Sequence, residues 1–299
     1  MNGILIVDKP AGITSHDVVS RVRRILKTKR VGHTGTLDPF ATGVMVVLVG
    51  QATRLARFLD KDVKEYEALV RFGFETDTGD RTGTPTVTNA DLPTAAQIES
   101  ALPEFTGEIQ QTPPMYSAKK MDGKKLYELA RKGETVERKP VILTIHDLAL
   151  SEPPAVARGL SLSIETATIK VKCSAGTYIR TLAEDIGRKI GTGAHLSELR
   201  RTAAGEFGID LSITLEELEM LEDPTTPLIP MNKAVSHMGE FVLPEDRVDK
   251  TRNGLLTRTP TLNLHDGEPI RMIEEGGELI AIGFFNAAEK FIQPKVVLV

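Results

Sequence analysis

At 299 residues with 40% hydrophobic side chains, the chain can bury a large core without cross-links, and its single cysteine, Cys173, excludes an internal disulfide framework. No Cys/His cluster has zinc-site spacing, and no stretch approaches the roughly 20 apolar residues that span a bilayer. The net charge of −4 argues against a polyanionic partner only on average: residues 1–64 hold 11 Lys/Arg against 5 Asp/Glu, whereas 202–249 hold 2 against 11.

The short apolar run Ile4 to Val7, broken at Asp8, reads as a buried strand and not as a signal-peptide core, so a soluble cytoplasmic protein is expected. Thr14 or Ser15 can N-cap a helix whose Val18, Val22, Ile25 and Leu26 share one face, with Arg21, Arg23, Arg24, Lys27, Lys29 and Arg30 on its other face and at its end. A glycine-punctuated loop (32–43), a strand (44–49) and a short helix (52–59) follow. Tyr66, Ala68, Val70 and Phe72 alternate with more polar neighbours, the pattern of a strand with one buried face. Residues 76–93 read as loop and Thr94 to Leu102 as helix. The segment 111–139 is polar, basic and short of core residues, and reads as a projecting arm. Strands at 141–150 and 161–173 and a helix at 178–190 complete the first part. Pro224, Pro227 and Pro230 mark its end, and short β-like runs at 261–264, 269–273, 279–284 and 295–299, divided by Asp-Gly, Gly-Gly and Asn-Ala turns, predict a small all-β C-terminal domain.

The richest chemistry lies in Val31-Gly32-His33-Thr34-Gly35-Thr36-Leu37-Asp38-Pro39-Phe40-Ala41-Thr42-Gly43. Its glycines and proline fix an irregular backbone able to approach a ligand, and one imidazole, one carboxylate and several hydroxyls lie between them. Composition alone leaves two readings open, a turn begun by Asp38-Pro39 and capped by His33, or a site. No Gly-Lys-Ser/Thr follows, which excludes a Walker-type phosphate loop.

The run Gly-His-Thr-Gly-Thr-Leu-Asp-Pro-x-Ala-Thr-Gly resembles the signature of the TruB family of tRNA pseudouridine synthases. The resemblance continues in Val7-Asp8-Lys9-Pro10, Lys64-Glu65-Tyr66, Thr76-Asp77-Thr78, Met115-Tyr116-Ser117-Ala118, Gly123-Lys124-Lys125-Leu126-Tyr127-Glu128, Gly176-Thr177-Tyr178-Ile179-Arg180-Thr181-Leu182 and Gly193-Ala194-His195-Leu196 with Leu199-Arg200-Arg201, covering about 1–205. It implies an α+β fold, with a mixed, mainly antiparallel sheet and flanking helices over 1–235 and a PUA-like β domain over 241–299. It implies isomerisation of a T-loop uridine (conventional position 55) of tRNA without a cofactor, guide RNA or membrane, by a monomer, with tRNA folding as a possible second activity. Asp38 would be the catalytic carboxylate, Arg180 its partner, lowering its pKa by roughly 1–3 units, and Tyr66 the base-stacking residue that assists proton removal. Tyr178 and Leu199 would wall the uracil pocket, and His33 would be the wedge that fills the stack left by the flipped base. The arm would close over the RNA, with Lys119, Lys120, Lys124, Lys125 and Arg131 on phosphates, and Lys9 would approach the RNA backbone or brace the site.

Three rivals remain. Asp77-Thr78-Gly79 is the aspartic-protease tripeptide, but it occurs once and lacks the apolar lead-in. A non-catalytic RNA binder has no need to keep Asp38, Tyr66 and Arg180 together. A guide-RNA-dependent relative is disfavoured by the intact arm and compact tail.

Overall fold

The computed structural model describes residues 1–60, 63–88, 91–117, 119–121, 123–130, 132–151, 163–259 and 264–298. A nine-stranded sheet organises the chain up to residue 208. Its strands are β1 (Gly3–Lys9), β2 (Val31–Thr34), β3 (Thr42–Val49), β4 (Lys64–Phe72), β5 (Gly107–Gln111), β6 (Val141–Leu150), β7 (Thr166–Cys173), β8 (Ala194–Ala204) and β9 (Phe207–Gly208). They pair in the order β1-β3-β8-β4-β7-β6-β5, with β2 on β3 and β9 on β8. Every pairing is antiparallel except β3 with β8, which is parallel and joins Thr42 and Gly43 to Arg200 and Arg201.

Period-two alternation divides the apolar residues of β1 and β3 between two cores. Leu5, Val7, Met45, Val47 and Val49 meet Val18, Val19 and Val22 of helix α1 (Ser15–Ile25). Ile4, Ile6, Val44, Val46 and Leu48 point the other way. A one-residue slip would exchange the two rows, so packing on both faces fixes the register. Thr14 begins α1 with a capping box, its Oγ1 accepting from Asp17 N at 3.1 Å while Asp17 Oδ2 accepts from Thr14 N at 2.8 Å.

The other half of the sheet packs Ala68, Val70 and Phe72 of β4 and Ile169 and Val171 of β7 against helices α2 (Ala95–Ala101) and α3 (Ile179–Ile190). Tyr66 continues the buried row of β4, as the alternation predicted.

Beyond residue 238 a five-stranded sheet forms from β10 (Gly239–Val242), β11 (Thr257–Arg258), β12 (Pro269–Ile273), β13 (Leu279–Asn286) and β14 (Phe291–Val297), in the order β10-β12-β13-β14-β11. This is the small C-terminal β domain expected from the turn signals, with a PUA-like curl. Ile273, Leu279, Ile282, Val296 and Leu298 join Ile4, Ile6, Val44 and Leu48 in one apolar cluster, so the two sheets share a core. The aromatic rings of Phe58 and Phe284 lie 6.4 Å apart across the same junction.

Several local expectations are corrected. The loop predicted over 32–43 begins as strand β2, because Val31 to Thr34 pair with Val46 to Val49. The helix predicted over 52–59 is a 3-10 turn (Gly50–Leu55) followed by one α-turn (Ala56–Leu59). The 76–93 loop contains Pro85–Thr88, which pairs with Phe74–Thr76 as a hairpin. The predicted strand positions 161–162 and 261–263, and Val299, lie outside the described residues. No helix among the described residues is long and apolar enough to cross a membrane.

Candidate active site

Four elements deliver the site. The β2–β3 connection carries Asp38, the N-terminal turn of α3 carries Arg180, and adjacent strands β4 and β8 carry Tyr66 and Leu199. Gly43 makes this convergence possible. Its φ is +99°, and a Cβ there would lie 2.2 Å from the Arg201 carbonyl oxygen. Any side chain would push β3 away from β8 and open the floor of the site.

His33, Asp38, Tyr66, Tyr178, Arg180 and Leu199 all line one open cleft of about 470 Å³. That is within the range of small-ligand sites, and these are the six residues the sequence put forward for catalysis, pocket walls and wedge.

Arg180 is 4% exposed. Its Nε meets Asp38 Oδ2 at 2.8 Å, and its Nη2 lies 3.4 Å from Asp38 Oδ1. The same guanidinium donates to the carbonyls of Thr78 and Tyr116, both at 2.6 Å, and Asp80 lies 3.7 Å away. One buried cation therefore ties the Asp38 loop, the 76–80 turn and the root of the arm together. Asp38 itself keeps about a third of its side chain (35%) exposed to the cleft.

Burial raises the Asp38 pKa above the usual carboxylate value, with Asp80 adding to the rise. Arg180 and Lys9 pull it down without reversing the direction. The expected net lowering by Arg180 is thereby corrected: the cation is present and bonded, but loss of water outweighs it. Burial likewise pushes the Tyr66 phenol up, opposed by the neighbouring Arg201 guanidinium. His33, whose Nδ1 is buried without a hydrogen-bond partner, is held below the ordinary histidine range by burial, so a neutral imidazole faces the cleft at neutral pH.

Lys9 is fully buried and does not reach the surface, so its expected approach to the RNA backbone is corrected to bracing. Its Nζ donates to Ala41 O at 2.7 Å, Pro10 O at 2.9 Å and Pro39 O at 3.2 Å, clamping the loop around Asp38. Burial lowers its pKa from 10.5 to about 8. The unfolded chain holds that proton to higher pH than the folded one, so the charged ammonium costs stability below pH 8, and stability is regained as pH rises toward 10.5. Wild type should therefore gain on Lys9→Met by up to about 3 kcal/mol across that interval in urea unfolding. A pH-independent difference would refute the assignment.

Sequence reading missed three positioning side chains. Gln111, 1% exposed, donates through Nε2 to Tyr178 O (3.0 Å) and accepts at Oε1 from Tyr178 N (2.8 Å), fixing the tyrosine at the cleft wall. Arg201, also 1% exposed, donates to Val44 O at 2.6 Å and Gly35 O at 2.9 Å beneath the loop. Asp80 accepts from Thr82 Oγ1 at 2.6 Å and shapes the turn that holds Arg180. Arg201 stood within a recognisable motif, but nothing in the spacing of Arg201 or Gln111 marked either as buried.

Asp77 accepts from Thr84 N at 2.8 Å and closes its own loop, which gives the protease-like tripeptide a structural task. In the arm, Lys119 and Lys124 are exposed, whereas Arg131 and the side chains of Lys120 and Lys125 lie outside the described residues. Among the described residues no group of three or more His, Cys, Asp or Glu side chains is placed to hold a metal ion.

One acid gripped by one buried cation, in an aromatic-walled cleft, is an arrangement able to act on a planar substrate. A solved structure of an H/ACA ribonucleoprotein bound to a substrate RNA containing 2′-deoxyuridine contains a chain of the same fold, with TM-score 0.74 and 25% identity over 99% of this chain and 85% of that one. Residues 23–179 match the TruB family pseudouridylate synthase N-terminal domain, and 180–245 match the tRNA pseudouridylate synthase B C-terminal domain. The chain is 44% identical over 288 residues to the tRNA pseudouridine synthase B of Solibacter usitatus, covering 95% of each chain. It is 41% identical over 309 residues to the protein of that name from Bacillus subtilis, covering 100% of this chain and 98% of the relative. The chain belongs to the TruB family of pseudouridylate synthases.

Proposed function

We propose that this chain converts the uridine at conventional position 55 of the tRNA T-loop to pseudouridine, in the cytoplasm, as a monomer and without guide RNA. The observation that carries this reading is the Asp38 carboxylate held at 2.8 Å by Arg180 in a cleft walled by Tyr66, Tyr178 and Leu199. The two relatives named tRNA pseudouridine synthase B, which match nearly end to end, support tRNA as the substrate.

The isomerisation balances without a cofactor: the N1–C1′ bond breaks, C1′ bonds to C5, the C5 proton leaves and N1 takes up a proton. Asp38 acts on the reacting nucleotide, as nucleophile or as the charge that favours glycosidic cleavage. Tyr66 stacks on the freed base, and the neighbouring Arg201 guanidinium favours the phenolate form that would accept the C5 proton and be neutralised by it. Tyr178 and Leu199 hold the ring, and neutral His33 fills the space it leaves in the RNA stack. Lys119, Lys120, Lys124, Lys125 and Arg131 of the arm contact phosphates. Residues 1–235 form the catalytic domain and 241–299 the RNA-binding PUA-like domain.

Incubating the purified chain alone with an unmodified tRNA transcript should give pseudouridine at that one T-loop position, read by base-resolution mapping. An unchanged T-loop uridine would sink the proposal.

A further inference from the structure

Ser117 borders the cleft, and among the described residues its Oγ has no hydrogen-bond partner. The residue is only 5% exposed, so bulk water does not supply the missing bond. Its backbone is pinned on both sides. Ser117 N donates to Met115 O at 3.0 Å, and Ser117 O accepts from Tyr127 N of the arm at 3.1 Å. Other hydroxyls of the same wall are already used: Ser174 Oγ accepts from Thr144 N at 3.0 Å, and Thr177 Oγ1 donates to Ser174 O at 2.9 Å. A buried hydroxyl left unpaired lowers stability. Beside a binding cleft, such a cost points to a ligand that satisfies it.

The N-terminus of α3 opens on the same cleft. Gly176 to Arg180 all line it, and Tyr178, the N-cap, provides no side-chain cap. The first N–H groups of a helix have no acceptor inside it and form its positive end. Gln111 Oε1 accepts from Tyr178 N, and the N–H groups of Ile179 and Arg180 come next in the turn. The segment leading to Ser117 is bound to this turn twice. Gln111 grips the Tyr178 backbone, and Arg180 Nη2 donates to Tyr116 O at 2.6 Å while lying 3.4 Å from Asp38 Oδ1. Ser117 thus starts one guanidinium away from the acid. In the cleft lining, Lys64, Arg180 and Arg201 outnumber Asp38 and Asp60, which favours an anionic group.

We infer that Ser117 Oγ and the first turn of α3 together hold a non-bridging oxygen of the phosphodiester on one side of the target uridine. The inference rests on the RNA-modifying reading above and adds a substrate contact to it. A hydroxyl and helix N–H groups offer donors to a single acceptor, which is the chemistry of an anion at a helix N-terminus. A base edge would call for a matched acceptor as well. The contact reads no base; it sets the position of the sugar relative to Asp38. Binding satisfies a hydroxyl that the free protein leaves unpaired.

The test compares wild type with Ser117→Ala in thermal unfolding, and in affinity and turnover on T-stem-loops. Some of these carry a single stereopure phosphorothioate on the 5′ or the 3′ side of the target. The free variant should melt at least about 2 °C higher, because the unpaired hydroxyl is gone. On the unmodified loop its Kd and KM should rise about tenfold with kcat held within about threefold, the pattern of a contact made equally before and during reaction. Sulfur is a poorer acceptor than oxygen. One diastereomer at one linkage should therefore weaken wild-type binding about fivefold and leave that of the variant unchanged, so that the two losses do not multiply.

A variant that melts below wild type would give the hydroxyl a structural partner and overturn the inference. Unaltered affinity, or losses that multiply at both linkages, would do the same. A rise in wild-type Tm with inorganic phosphate that Ser117→Ala abolishes, without coupling at either linkage, would mark a free-anion site only and also overturn it. Coupled affinities in a wild type that forms no pseudouridine would instead remove the reaction and leave the contact standing.

Discussion

Asp38→Asn should abolish pseudouridine formation, by at least about 10⁴-fold in single turnover, while RNA affinity changes by no more than about threefold. The amide keeps the shape of the carboxylate and can still meet the Arg180 Nε–H through its oxygen. It carries no negative charge to attack a carbon or to stabilise a sugar cation. A third of the side chain is open to the cleft, so the substitution needs no repacking. Residual turnover near the wild-type rate would show that Asp38 is a turn residue and that the chemistry resides elsewhere. Equal loss of binding and turnover would favour a purely structural role for the loop.

Arg180→Met should have the second-largest effect, on stability as well as rate. The guanidinium joins Asp38, Thr78 O and Tyr116 O within 2.8 Å, and Asp80 is close by. Its removal leaves two carbonyls without their donor and two carboxylates facing each other, and losing one partner of a buried pair costs about 3–5 kcal/mol. Arg180→Lys keeps the charge and loses the fork, so it should recover stability better than rate.

The pH profile separates these roles. In the proposed reaction only ionised Asp38 reacts, so activity should be present above its pKa and be lost as pH falls through it. Burial raises that pKa, which places the acid limb above the ordinary aspartate value of 3.8. Arg180 opposes the rise, so Arg180→Met should move the acid limb further up in pH. A limb that stays in place would mean that the two side chains are not coupled in the working enzyme.

The alternation in β4 was legible because one face of that strand is apolar throughout, and α1 was legible because its cap and valine stripe are local signals. β8 was not. Ala194 to Ala204 reads as a charged, motif-bearing stretch, yet it runs between β3 and β4 and supplies Leu199 and Arg201 to the site. Its polar residues are tolerated because distant partners satisfy them: Arg200 pairs with Asp8 at 2.7 Å, and Arg201 donates to Val44 O and Gly35 O. No window of sequence contains those partners.

The same limit applied to Asp38. Local sequence established a constrained loop with an acid in it, and ordered motifs along the first two-thirds of the chain established the family and six side chains worth testing. Only the folded chain decided that Arg180 is buried, that Lys9 faces inward, and that Asp38 titrates upward and not downward. Hydrogen-bond partners, solvent exclusion and pKa depend on residues brought together from β1, the 76–80 turn, the arm and α3. Their distance along the chain says nothing of their distance in space.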